Sequence, residues 1–106
     1  MDELNYRHLR YFWVVAKEGG FSRAAERLGM AVQTVSTQVR ELERKLGYQL
    51  LRPAGRGVAL TQAGLQAFEQ AEAIFELGEA LPSAVRVAAT RPSVRLAVGL
   101  SDGLSK

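Results

Sequence analysis

Val32-Gln33-Thr34-Val35-Ser36-Thr37-Gln38-Val39-Arg40-Glu41-Leu42-Glu43-Arg44-Lys45-Leu46 decides how the rest of the chain is read. Its apolar residues Val35, Val39, Leu42 and Leu46 recur at i, i+4, i+7 and i+11, the rhythm of a helix with one buried stripe. The opposite face displays Gln33, Thr34, Thr37, Arg40, Glu41 and Arg44. For its first two turns that face is uncharged and carries only hydroxyls and amides. Such groups suit the DNA major groove, where an amide can donate and accept on one base edge and a threonine can meet a thymine methyl.

The segment before this helix supports that reading. Phe21, then Ser22 as expected N-cap, opens a short helix whose inner face is Ala24, Ala25 and Leu28. It stops at Gly29, and Met30 is expected to anchor the turn in the core. Helix, short glycine turn, helix is the helix-turn-helix unit, whose second helix can project into a groove. Upstream, residues 5–18 form a first helix with Leu9, Phe12, Trp13 and Ala16 on its buried face, ended by Gly19-Gly20. Trp13 and Tyr11 could stack on a nucleotide, but aromatics at helical spacing favour the core. His8 reads as a polar surface group.

Downstream, Gly47 closes the long helix. Residues 48–52 and 57–60 then read as two short strands joined through Pro53-Ala54-Gly55-Arg56. A hairpin in that place is a wing, and Arg56 between two glycines at its tip suits the narrow minor groove. Thr61 caps a helix expected over residues 62–81, whose first amides can face a phosphate, with Gly64 allowing close backbone approach. Along it Ala67, Ile74 and Leu81 recur every seven residues, as do Phe68 and Phe75, with Ala71 and Gly78 between them. Seven-residue recurrence marks a seam against another helix. A domain this small has little core to cover so long a stripe, so the expected partner is the same helix of a second copy. Pro82 should end or kink the helix. Residues 82–93 read as a hinge, and residues 94–106 as the first strand of an effector domain that the chain does not contain.

Charge follows the same division. Residues 1–60 hold ten Lys/Arg against six Asp/Glu, residues 61–81 hold four Glu and no base, and residues 82–106 hold four bases against one acid. An anionic partner is expected for the first block and not the second. The absence of cysteine excludes thiol chemistry and cysteine-ligated zinc, and one histidine leaves no metal cluster or Ser/His/Asp arrangement. No nucleophile, base and orienting group occur together, so an enzyme has no support. No cofactor is expected. No apolar run reaches membrane-spanning length and no leader-like start is present, which predicts a cytoplasmic protein without membrane contact.

Leu9-x-x-Phe12, Phe21-Ser22-x-Ala24-Ala25-x-x-Leu28, Val35-Ser36-x-Gln38-Val39-x-x-Leu42-Glu43-x-x-Leu46-Gly47, Leu50-Leu51-Arg52 and Leu60-Thr61-x-Ala63-Gly64 together resemble the DNA-binding domain of LysR-type transcriptional regulators. Within that family, Asn5-Tyr6-x-His8-Leu9-x-Tyr11-Phe12-Trp13, Gly55-Arg56-Gly57 and the tail Val98-Gly99-x-x-Asp102-x-Leu104-Ser105-Lys106 are similar to a member that regulates a sodium/proton antiporter gene. The resemblance implies a mainly α fold: three helices and a two-stranded wing in residues 1–60, then a linker helix over 61–81. It implies double-stranded DNA as partner, a homodimer through the linker helix and a tetramer in the complete regulator, with RNA polymerase as a further partner.

Mapped onto this chain, it gives base reading to Val32, Gln33, Ser36 and Thr37 and the minor groove to Arg56; the residues themselves add Thr34 as a base reader and Arg40, Arg52 and Thr61 as phosphate contacts. Ala31 replaces the usual Ser/Thr cap, a change worth on the order of 1 kcal/mol. Val32 and Thr37 stand where many relatives carry glutamine and arginine. Two alternatives remain: a molybdate-regulator type of winged helix, and a winged-helix domain used for protein association without specific DNA binding.

Overall fold

A computed structural model describes residues 3–91; the strand expected at residues 94–100 lies outside them. The chain forms α1 (Tyr6–Glu18), α2 (Phe21–Leu28), α3 (Val32–Leu46), β1 (Leu51–Ala54), β2 (Gly57–Leu60) and α4 (Gln62–Thr90). This is the expected mainly helical fold with a two-stranded wing.

Each element begins and stops for a local reason. Asn5 caps α1, its side-chain oxygen accepting the N–H groups of Arg7 and His8, both at 3.0 Å. The helices α1, α2 and α3 each end on a glycine in the left-handed region, Gly19, Gly29 and Gly47. The cap of α2 is Gly20, with no side-chain bond, so Ser22 lies inside the helix and is not its N-cap. Gly20, in extended backbone at φ −178°, occupies the cap position, and Ser22 is exposed in the first turn. Ala31 precedes α3 without a side-chain cap, as its methyl requires.

The core is built where the apolar stripes meet. Leu9, Phe12, Trp13, Val14 and Val15 of α1, Ala24 and Ala25 of α2, and Val35, Val39 and Leu42 of α3 are buried, and Leu50 and Leu51 close the set from the wing side. The two alanines of α2 sit at 0 % and 2 % exposure, which lets the neighbouring helices approach closely. Met30 packs, partly buried, against this core.

The wing is antiparallel, with Leu51 opposite Leu60 and Pro53 opposite Val58. Proline brings no N–H, and the N–H of Val58 turns away from the ladder to the Gly19 carbonyl at 3.0 Å. Pro53 therefore removes no rung. The turn is shorter than expected, because Pro53 and Ala54 belong to β1 and only Gly55 and Arg56 lie between the strands.

One correction concerns α4. The helix does not end at Pro82 but runs through it to Thr90, so residues 82–90 are helical rather than a hinge. The missing N–H and ring clash of an interior proline cost about 3 kcal/mol, and the good helix formers Ala84, Arg86, Ala88 and Ala89 that follow oppose that loss. The apolar stripe of α4 also meets the domain's own core. Ala71 is fully buried, and Ala67, Phe68, Ile74 and Phe75 pack against the domain's own core. Phe75 lies 4.9 Å from the Trp13 ring, whose indole N–H donates to Glu72 at 2.8 Å. Within the single chain Ala67, Phe68, Ile74 and Phe75 stay half-buried, and Gly78 and Leu81 are exposed.

Thr61 joins wing to helix. Its hydroxyl donates to the Gln49 carbonyl at 2.6 Å and accepts the Gly64 N–H at 2.9 Å, while its own N–H bonds the Leu50 carbonyl at 3.0 Å. Thr61→Ala should lower unfolding free energy by about 1–2 kcal/mol, measurable as a reduced denaturation midpoint.

Candidate nucleic-acid interface

The outward end of α3 is built by exclusion. Val35 and Val39 are buried at 0 % and 1 %, which turns Gln33, Thr34 and Thr37 to solvent; all three are exposed. Ser36 is half-buried, and Val32, at 45 % exposure, adds an apolar contact at the first turn. No acidic residue stands in that turn and no side chain caps it. Its first amide N–H groups thus remain available to an acceptor outside the helix. Gln38 is different: its amide oxygen is enclosed and belongs to the packed side.

Basic groups are exposed on α3 and on the wing. Arg40 follows one turn later and is exposed, as are Arg52 on β1 and Arg56 at the wing tip. None of the three makes an ion pair among the described residues. By contrast Arg44 bonds Glu41 at 2.7 Å, and Arg27 bonds Glu18 at 2.9 Å. The hydrogen bond and charge of Arg44 hold the Glu41 carboxyl below its ordinary value. Basic Arg44 and Lys45 stand in the last turn of α3, where they complement the helix dipole away from the reading end.

What fixes the wing is a backbone contact. A Cβ on Gly57 would collide with the Gly19 carbonyl, so only glycine lets β2 lie against the α1–α2 turn. Arg56 consequently lines a cleft of about 420 Å³ with Ser22 and Arg23 of α2. Sequence reading missed Arg23 here. The pairing joins residues far apart in the chain, and no local pattern announces it.

Other candidates take structural roles. Both donors of Thr61 are engaged inside the domain, which removes it as a phosphate donor. Gly64 is needed against protein, since a Cβ there would collide with the Leu50 carbonyl. Trp13, 7 % exposed, is core. Among the described residues no group of His, Asp and Glu could hold a metal ion, and no helix is long and apolar enough to cross a membrane.

This geometry has close counterparts. The chain is 36 % identical over 106 residues to the transcriptional activator protein NhaR of Escherichia coli (strain K12), covering all of this chain and 35 % of NhaR. It therefore spans about a third of that relative's length. It is 38 % identical over 99 residues to the HTH-type transcriptional regulator BudR of Klebsiella aerogenes, covering 93 % of this chain and 69 % of BudR. Among solved structures, the BenM DNA-binding domain in complex with catB site 1 DNA superposes with a TM-score of 0.76 at 33 % identity, covering 82 % of this chain and 98 % of that one. Residues 6–65 match the family described as bacterial regulatory helix-turn-helix protein, lysR family. The chain belongs to the LysR family of bacterial helix-turn-helix regulators, of which it carries the DNA-binding domain.

Proposed function

We propose that the chain reads double-stranded DNA sequence-specifically, with the first two turns of α3 in the major groove. The observation that supports this is the uncharged, exposed face of Gln33, Thr34 and Thr37, with Val32 and Ser36 in the same two turns; Arg40 on α3 and Arg52 and Arg56 on the wing are exposed and make no ion pair among the described residues. Base edges are read by the first group. Phosphates are held by Arg40 and Arg52, which supply affinity without sequence information. Arg56 enters the flanking minor groove.

The active unit is a homodimer. Leu77, Leu81 and Val85 fall at i, i+4 and i+8 on the second half of α4 and are 74 %, 61 % and 57 % exposed. Gly78 beside them would let two backbones come close. In such a dimer the two α3 helices address half-sites about 34 Å apart on a dyad-symmetric operator. Pairs of dimers and contact with RNA polymerase belong to the complete regulator. The target we propose is a sodium/proton antiporter gene, activated on binding; it rests on the likeness of residues 5–13 and 98–106 to NhaR.

Binding to random duplex as salt is raised tests the reading. Each phosphate contact should steepen the log–log slope by about 0.9, whereas a winged helix used only for protein association would show little affinity at any salt. Arg56→Ala should weaken binding chiefly at A·T-rich flanks. Thr37→Ala should relax preference at one base step by about 1–3 kcal/mol. Unchanged profiles for both variants would reject these roles.

A further inference from the structure

His8 is the only histidine of the chain and stands apart from the DNA-reading face. It lies in the first turn of α1, half-buried, with Nδ1 enclosed and without a hydrogen-bond partner. Together with Leu4 it borders a groove of about 580 Å³ whose other wall is Leu42, Lys45 and Leu46, from the last turns of α3. A neutral imidazole fits such a place, because one of its nitrogens carries no proton. An imidazolium must place two N–H donors, and here one would point into a closed, partnerless space.

The charges around it come from three elements. From α3, Lys45 opposes a positive ring and Glu41 favours it, with Arg44 at the groove rim; from α1 itself, Arg7 opposes; from the segment before α1, Glu3 lines the groove. Glu41 is the one acid whose field at the ring is resolved, and it is already bonded to Arg44.

We infer that His8 is a proton-sensitive joint between α1 and α3: when it takes up a proton, the far end of the recognition helix loosens while its base-reading residues stay unaltered. Leu42, fully packed beside the joint, is one of the three residues that seat α3 in the core. Along α3 the joint residues Leu42, Lys45 and Leu46 lie about 15 Å, between the two groups' centres, past the reading residues 32–37. Protonation therefore acts through seating and not through contact with DNA.

Burial first, then Lys45 and Arg7, hold the imidazole below its ordinary value of 6.5, with Glu41 pulling the other way. The unfolded chain thus takes the proton first as pH falls. Stability is complete above 6.5, is lost as pH drops from there to the lower folded value, and falls no further on this account beneath it. The lowered Glu41 carboxyl adds its own loss from its ordinary 4.5 downward, so the loss that sets in from 6.5 belongs to the histidine.

One histidine makes the test direct, since a proton NMR titration of the chain reports a single imidazole. The expected result is a midpoint below 6.5, moved upward in Lys45→Gln, whose side chain is exposed and whose loss leaves the core intact. The thermal midpoint should fall between pH 7 and pH 5 in the parent and stay level in His8→Gln, windows set by the ordinary histidine value. The consequence for binding rests on the DNA-reading proposal. At fixed ionic strength the parent should lose affinity for a random-sequence duplex relative to His8→Gln as the pH falls through the same window. An imidazole that titrates at or above 6.5, or equal pH dependence of the thermal midpoint in parent and His8→Gln, overturns the joint. Absence of duplex binding by both proteins at neutral pH would instead reject the DNA reading, and the NMR and thermal results would still decide the joint by themselves.

Discussion

Gly64→Ala should destabilise the domain by about 3 kcal/mol, the upper end of the range for overpacking, and lower its thermal midpoint by on the order of 10–20 °C. The residue lies buried in the first turn of α4, where an added Cβ would run into the carbonyl oxygen and carbon of Leu50. Those are backbone atoms at the entrance to the wing, and they cannot rotate aside as a side-chain tip could. The same carbonyl accepts the N–H of Thr61, so moving it also disturbs the joint between wing and helix. Gly78→Ala is the matched control. A Cβ there meets nothing within 4 Å in the single chain, and at protein concentrations low enough to keep the chain monomeric alanine in this exposed helix interior should stabilise by about 0.5–1 kcal/mol. Equal midpoints for the two variants in thermal denaturation would mean that α4 does not approach Leu50 as described.

Glu43→Ala is expected to cost about 3 kcal/mol, since a hydrogen bond to a charged group contributes about 1.5–3 kcal/mol and two are lost. One oxygen of Glu43 accepts the N–H of Leu50 at 2.7 Å and of Leu51 at 3.1 Å. Both donors sit where the chain leaves α3 for β1, and both residues are buried, at 2 % and 8 % exposure. Removal of the carboxylate leaves two amides in a closed space without an acceptor. The wing would lose its fixed position against α3, and Arg52 and Arg56 with it. Amide hydrogen exchange should report the break directly, as loss of protection at Leu50 and Leu51 while Val39 stays protected. Glu43→Gln keeps one acceptor oxygen and should recover part of the loss.

These two residues mark the limit of what the sequence discloses. The helix-turn-helix was legible because Val35, Val39, Leu42 and Leu46 repeat at helical spacing, and because glycines punctuate each end. Exposure of Gln33 and Thr37 followed from that spacing by simple geometry. Glu43 left a fainter trace: it falls four residues after Val39, on the inward side of the helix, and a carboxylate there must find donors. Which donors it finds depends on a loop that doubles back. Gly64 was read as room for a phosphate, because a glycine in a first helical turn announces close approach without naming what approaches. The stripe of α4 was legible only in part, for a related reason. Its heptad spacing was correctly seen, but a helix periodicity cannot say whether Phe75 meets a second copy or the chain's own Trp13. Pro82 was weighed by its local preference, which the rest of the helix overrides.

Selection of preferred duplexes from a random pool, carried out with the parent and with Gln33→Ala, tests the central claim most directly. If the first turns of α3 read bases, the parent enriches a dyad-symmetric motif with half-sites about one helical turn apart. Gln33→Ala then loses preference at one symmetric pair of positions and keeps the others. A parent that enriches no motif, or a Gln33→Ala variant whose motif is identical to the parent's, would contradict the account.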